Sequence, residues 1–203
     1  GKAPTVGSAT MMIARLKSLV LGFLATGGAA LSLSRREFFA SAVGATGTTI
    51  LASPAVAVSP CPANANNCWS TASTDKTQMT PWTWPASTSK SQALADLAQV
   101  IESYPQEGQA GVDLGGWTKS AGSLESGSAK YEFKSGIGNF AKFFNGGQPF
   151  VDDLEVQVAG STVEVKSASR VGDSDLGVNA KRLNYLSAQL RAKGWDAPAI
   201  AAK

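Results

Sequence analysis

FVDDLEVQVAGSTVEVKSASRVGDSDLGVNAKRLNYLSAQLRAKGW, residues Phe150 to Trp195, decides how this chain folds. It opens with two alternating runs. In LEVQV, Leu154, Val156 and Val158 share one face, and Glu155 and Gln157 share the other. In TVEVKSAS, Val163, Val165 and Ser167 oppose Thr162, Glu164 and Lys166. Period-two alternation of β-branched residues predicts strands. The AGST between the runs fits a short hairpin loop with Gly160 at a positive-φ position, so the pairing should be antiparallel, one face dry and one wet. A polar turn, SRVGDSDLGVN, leads to a helix that Asn179 or Asp175 can cap. Leu183, Leu186 and Leu190 form its apolar stripe, with the small Ser187 on the edge. Lys181, Arg182 and Arg191 are expected to face solvent, and Gly194 is a stop signal.

FVDDLEV and VKSASRVGDSDLGVNAKRL resemble the C-terminal block of the domain-of-unknown-function family numbered 1499, and CPANANNCWSTAS upstream resembles its N-terminal Cys-Pro…Asn-Cys segment, in the same order. The resemblance runs from about Ser59 to Lys193. It implies a fold rather than an activity.

The formal net charge of +3 conceals an asymmetry. Five basic residues (Lys2, Arg15, Lys17, Arg35, Arg36) and one acid, Glu37, lie in Gly1–Ala57, which leaves the rest at about −1. No clustered basic face of the kind nucleic acid requires is seen. The chain has no histidine, so Ser-His-Asp and Cys-His catalysis in their usual forms are excluded, as are His-based zinc and haem sites. Two cysteines cannot by themselves supply a four-Cys site. No nucleophile–base pair is visible, and GVDLGGW does not qualify as a phosphate loop opening a helix.

Residues 1–57 read as a bipartite targeting leader. Gly1–Ser34 lacks acids and carries an apolar run from Leu19 to Leu24. Ser34-Arg35-Arg36-Glu37-Phe38-Phe39 and the mildly apolar stretch after it resemble a twin-arginine export signal, with Ala55-Val56-Ala57 as a cleavage site. Two stacked signals imply two barriers crossed, which leads to the plastid and its thylakoid lumen. The alternative is retention of the second element as a membrane anchor.

In the arm that follows, Cys61 and Cys68 are expected to form a disulfide after export, stapling a Pro/Asn-rich loop. A redox switch and a metal site are the alternatives. In MTPWTWPAS, the prolines hold Trp82 and Trp84 extended and on one face, either as a clip on the domain's own core or as a patch that docks a partner. Ser89 or Ser91 caps a helix reaching about Tyr104, with Leu94, Leu97, Val100 and Ile101 inward. A short strand is expected between Gln109 and Gly127, and another in AKYEFKS. Ile137, Phe140, Phe143 and Phe144 fall at helical spacing, as core or as a lipid- or pigment-facing surface; Phe143 and Phe144 join the docking candidates.

Asp152, Asp153 and Glu155 invite a catalytic reading, but alternation puts Asp153 and Glu155 on one face and turns Asp152 away. Antiparallel pairing brings Arg170 near Asp152–Asp153, so a structural ion pair is expected there. Asp173, Asp175 and Asn179 hint at a calcium loop, but Gly177 stands one place early for an EF-hand. Turn formation and capping explain the same residues.

The expected fold is α+β: a small antiparallel sheet of three to five strands with two main helices packed on one face, plus a disulfide-stapled N-terminal arm, in one domain over 58–203. The expected function is that of a non-enzymatic accessory or structural subunit on the lumenal side of a thylakoid membrane complex. Photosystem I or II with its antenna is the partner expected, and neither nucleic acid nor a cofactor is; pigment contact at an interface stays open. Membrane contact would be peripheral unless the leader is retained. The alternative is a small-ligand-binding protein or an enzyme built on Arg170 and the acidic turn.

Overall fold

A computed structural model describes residues 57–136 and 143–201. The expectations for the leader, and for Ile137 and Phe140, lie outside these residues. The chain forms strands β1 (Cys68–Ser70) and β2 (Trp82–Thr83), helix α1 (Lys90–Glu102), strands β3 (Trp117–Ser123), β4 (Ser128–Lys134), β5 (Val151–Ala159) and β6 (Thr162–Ser169), and helix α2 (Val178–Ala192). Among the described residues the fold is α+β, a six-stranded antiparallel sheet with two main helices and a Cys61–Cys68 disulfide in the N-terminal arm.

The hairpin β5–β6 is the centre of the sheet, whose order is β1-β6-β5-β4-β3. Its loop is tighter than the four residues expected: Ala159 pairs with Thr162, leaving Gly160 and Ser161 to turn, with Gly160 at φ +63°. Register aligns Tyr131, Leu154 and Ser167 across three strands, with Ala129, Val156 and Val165 in the next row. These residues are buried and belong to the same core as Leu97, Val100 and Ile101 of α1 and Leu183, Leu186 and Leu190 of α2. On the opposite face stand Lys130, Glu132, Asp153 and Glu155, all partly exposed.

Local chemistry explains the helix ends. The Ser89 hydroxyl accepts from the Gln92 amide at 3.2 Å to start α1. Helix α2 begins at Gly177, in the left-handed region and without a side-chain cap of its own. Asp175 does the capping from two residues upstream, accepting from the Gly177 and Asn179 amides at 3.0 and 2.8 Å. Gly194, at φ +84°, closes the helix as its amide and that of Trp195 donate back to Arg191 and Leu190.

The sheet has one strand more than the upper end of the expected range, because β1 and β2 are too short to show any periodicity. They lie end to end along one edge of β6, pairing with Lys166–Ala168 and with Thr162–Val163. Thr71 fills the gap between them: its amide donates to the Val165 carbonyl, and its hydroxyl accepts from the Val165 amide at 3.1 Å. The other edge, β3, is largely exposed and carries a bulge between Lys119 and Ala121.

The tryptophan clip is core, so the docking patch expected at Trp82 and Trp84 is corrected. Trp82 is fully buried and Trp84 nearly so, with the Trp84 ring 5.7 Å edge-on from Trp195. The cause is the pairing of Thr83 with Asp196, which folds the Pro-flanked segment inward against the chain's end. Among the described residues, no helix is long and apolar enough to cross a membrane.

Candidate binding cleft over a buried arginine cluster

Strand alternation places Asp152 with Leu154 and Val156, so its carboxylate enters the core face. A buried carboxylate needs a partner, and that partner is Arg182. The expectation that Arg182 faces solvent is corrected: its side chain is 0% exposed. On α2, Asn179, Arg182 and Leu186 follow one another at three- and four-residue steps, and all three are buried with the leucine stripe. The buried face of this helix is therefore wider than its leucines alone mark.

Arg182 spends all five of its N–H donors. Nε donates to Asp113 Oδ2 at 2.8 Å, and Nη2 donates to Asp113 Oδ1 and, at 2.7 Å, to Asp152 Oδ2. Nη1 donates to Asn179 Oδ1 at 2.7 Å and Ser167 Oγ at 3.1 Å. The guanidinium also lies 4.4 Å over the Phe133 ring. Burial alone would pull the arginine toward neutrality, but Asp113 and Asp152 outweigh it and hold the charge more firmly than in water.

Asp113 comes from the loop between α1 and β3, which sequence reasoning did not single out. It sits at φ +59°, a conformation aspartate tolerates better than most residues. Tyr104 donates to Asp113 Oδ2 at 2.6 Å. Burial, and then the bond to the Asp113 carboxylate, push the phenol well above its ordinary range, so it remains a proton donor.

Asp153 faces the other way and meets Arg170. Arg170 Nε and Nη2 donate to its two oxygens at 2.9 and 2.8 Å, and Nη2 also reaches Glu132. Partial burial pulls the Asp153 carboxyl up, but the Arg170 bond and the Lys130 charge outweigh that and hold it below the usual carboxylate range. The bonds to Asp153 and Glu132 raise the Arg170 guanidinium in turn. Asp152 is not part of this cluster, because successive strand residues point to opposite faces.

The acidic turn serves as structure. Asp175 spends both oxygens on Gly177 and Asn179, whose side-chain amide it also accepts at 2.8 Å. Asp173 is exposed. Among the described residues, no set of three or more His, Cys, Asp or Glu side chains could hold a metal ion. The disulfide loop clamps the turn from behind: Asn67 donates to the Gly172 carbonyl at 2.5 Å, its own carbonyl accepts from Asn179 at 3.3 Å, and Asn66 bridges to Ser174.

Beside the Arg182 cluster opens a cleft of about 730 Å³. Asp113, Asp152 and Asp175 contribute its acidic lining, and Leu114, Val171 and Leu176 its apolar rim. Arg170 and Asp153 do not line it. The acidic turn does line it, through Ser174 and Asp175. Phe143 and Phe144 are 82% and 63% exposed, with rings 5.0 Å apart and edge-on.

Together these features define a small α+β domain with a charge-saturated polar core under an apolar-rimmed cleft. Residues 57–190 match the family model described as Protein of unknown function (DUF1499), and the chain belongs to that family. No curated protein and no solved structure matches it.

Proposed function

We propose that the domain is a non-enzymatic accessory subunit that works by binding, with the cleft over Asp152 as its contact surface. The supporting observation is where exposed apolar side chains fall. Among the described residues, the large ones left exposed are Leu114, Phe143, Phe144, Val171 and Leu176. Three of these line the cleft, and the two phenylalanines stand on the segment between the cleft residues Gly136 and Phe150. Three exposed apolar side chains gathered around one cleft mark an interaction site. The saturated donors of Arg182 favour recognition over turnover, since a group held on every side is not poised to move a proton. The composition of residues 1–57 extends the proposal to the lumenal side of a thylakoid membrane complex, with a photosystem as that complex. The test is native electrophoresis of thylakoid membranes solubilised in mild detergent. The full chain is expected to co-migrate with photosystem I or II, and Leu114→Ser with Leu176→Ser to weaken that association. Migration only as a free small protein overturns the proposal.

A further inference from the structure

Resting on the reading that the cleft binds a partner, the geometry points to its chemistry: we propose that the cleft receives a lysine side chain of a partner protein, flanked by apolar residues, whose ammonium reaches Asp152. Three observations carry this. First, Asp152 uses only one carboxylate oxygen, accepting from Arg182 at 2.7 Å through Oδ2; Oδ1 has no partner among the described residues. The side chain is only 8% exposed, yet it lines the cleft. Oδ1 is thus an acceptor at the cleft that carries no donor from the described residues, on a side chain whose other oxygen is already committed to Arg182. Second, Arg182 pairs with two of the three lining carboxylates, Asp113 and Asp152, while the third, Asp175, accepts only from neutral amides, so the cleft is negative and complements a cation. Third, access to Asp152 passes the rim side chains Leu114, Val171 and Leu176, which are 56%, 45% and 76% exposed. A lysine packs its four-carbon stem on such a rim while its ammonium goes on to the acceptor. Arginine fits less well. Its planar fork seeks both oxygens of a carboxylate, and Arg182 already holds one of them.

The test uses the full chain and blocked Ala-Leu-Lys-Leu-Ala peptides carrying lysine, Nε-acetyl-lysine or arginine at the centre. Binding is followed by amide chemical shifts in solution NMR. The lysine peptide is expected to shift Asp152, Asp175 and Leu176. Acetylation should weaken binding at least about tenfold and arginine severalfold, in line with loss of a charge-assisted bond. Asp152→Asn should weaken it comparably. Because that change also disturbs Arg182, Leu176→Ser provides a variant that leaves the cluster intact and should bind severalfold more weakly. Equal binding of the acetylated peptide overturns the proposal, as does the absence of cleft shifts up to about 5 mM, where an anchored contact should register. If the peptides fail while the chain still co-migrates with a photosystem, the lysine falls and the binding function stands. If co-migration fails as well, both fall.

Discussion

Asp152 and Asp153 are neighbours in sequence, and each is held by an arginine, but the two clusters lie on opposite faces of one sheet and are built to different standards. Arg182 is 0% exposed and satisfies every donor against Asp113, Asp152, Asn179 and Ser167. Arg170 is 42% exposed and spans Asp153 and Glu132, with water available for the rest. The difference follows from dielectric. A charge in the core loses its hydration and must recover it bond by bond, whereas one at the surface can be imperfectly matched at little cost. The buried cluster therefore ties four parts of the chain together, namely the loop at Asp113, strands β5 and β6, and helix α2. The exposed cluster only decorates adjacent strands.

Removing each arginine tests that contrast most directly. Arg182→Met should cost about 3–5 kcal/mol in urea unfolding, because two carboxylates are left buried without a cation. Adding Asp113→Asn and Asp152→Asn should recover part of the loss. Should Arg182→Met cost no more than Arg170→Ala, burial is not what separates the two clusters. Arg170→Ala should cost about 0.5–1 kcal/mol at neutral pH, since exposed pairs are weak. Its pH dependence sharpens the comparison. The folded Asp153 carboxyl is held below its unfolded value of about 3.9. Its contribution is thus present above that value and disappears as pH falls through the lower, folded one. The gap between wild type and Arg170→Ala should accordingly narrow in acid, as urea midpoints taken at neutral pH and at about pH 3 would reveal.

The smallest effect concerns a polar group the core does not satisfy. The Tyr131 hydroxyl is buried without a hydrogen-bond partner. Burial, and then the nearby Glu102 charge, push its phenol up to about 12. The folded form keeps its proton longer than the unfolded one. Its contribution is therefore complete below the unfolded value of about 10 and is lost as pH rises toward the folded one. Tyr131→Phe should change neutral stability by less than about 1 kcal/mol, in either direction. It should also flatten the decline between those two values, which alkaline titration of the unfolding midpoint would measure.

How much of this was legible depended on whether the signal was local. The unit β5–turn–β6–turn–α2 could be read because alternation at Leu154–Val158 and Val163–Val165, and the leucine spacing on α2, are properties of adjacent residues. β1 and β2 could not be read, because three and two residues carry no period and their pairing with β6 is set by distant register. Arg182 was misplaced by the ordinary preference of arginine for water. The sign that could have corrected this lay on another strand: Asp152 falls in phase with Leu154 and Val156, and a carboxylate on a dry face demands a cation. Asp113 had no local signal at all, since only the folded loop brings it beside α2. Trp82 and Trp84 were ambiguous for a related reason, as their burial depends on Asp196 more than a hundred residues on.

The divided edge of β6 bears on how copies of the domain behave in a crowd. A single long border strand would offer an uninterrupted row of amides and carbonyls to any extended stranger. Here two fragments and the Thr71 hydroxyl consume that row, and the opposite border is broken by its bulge. Neither flank is a flat template for strand-by-strand growth, which removes the commonest route by which one sheet recruits another.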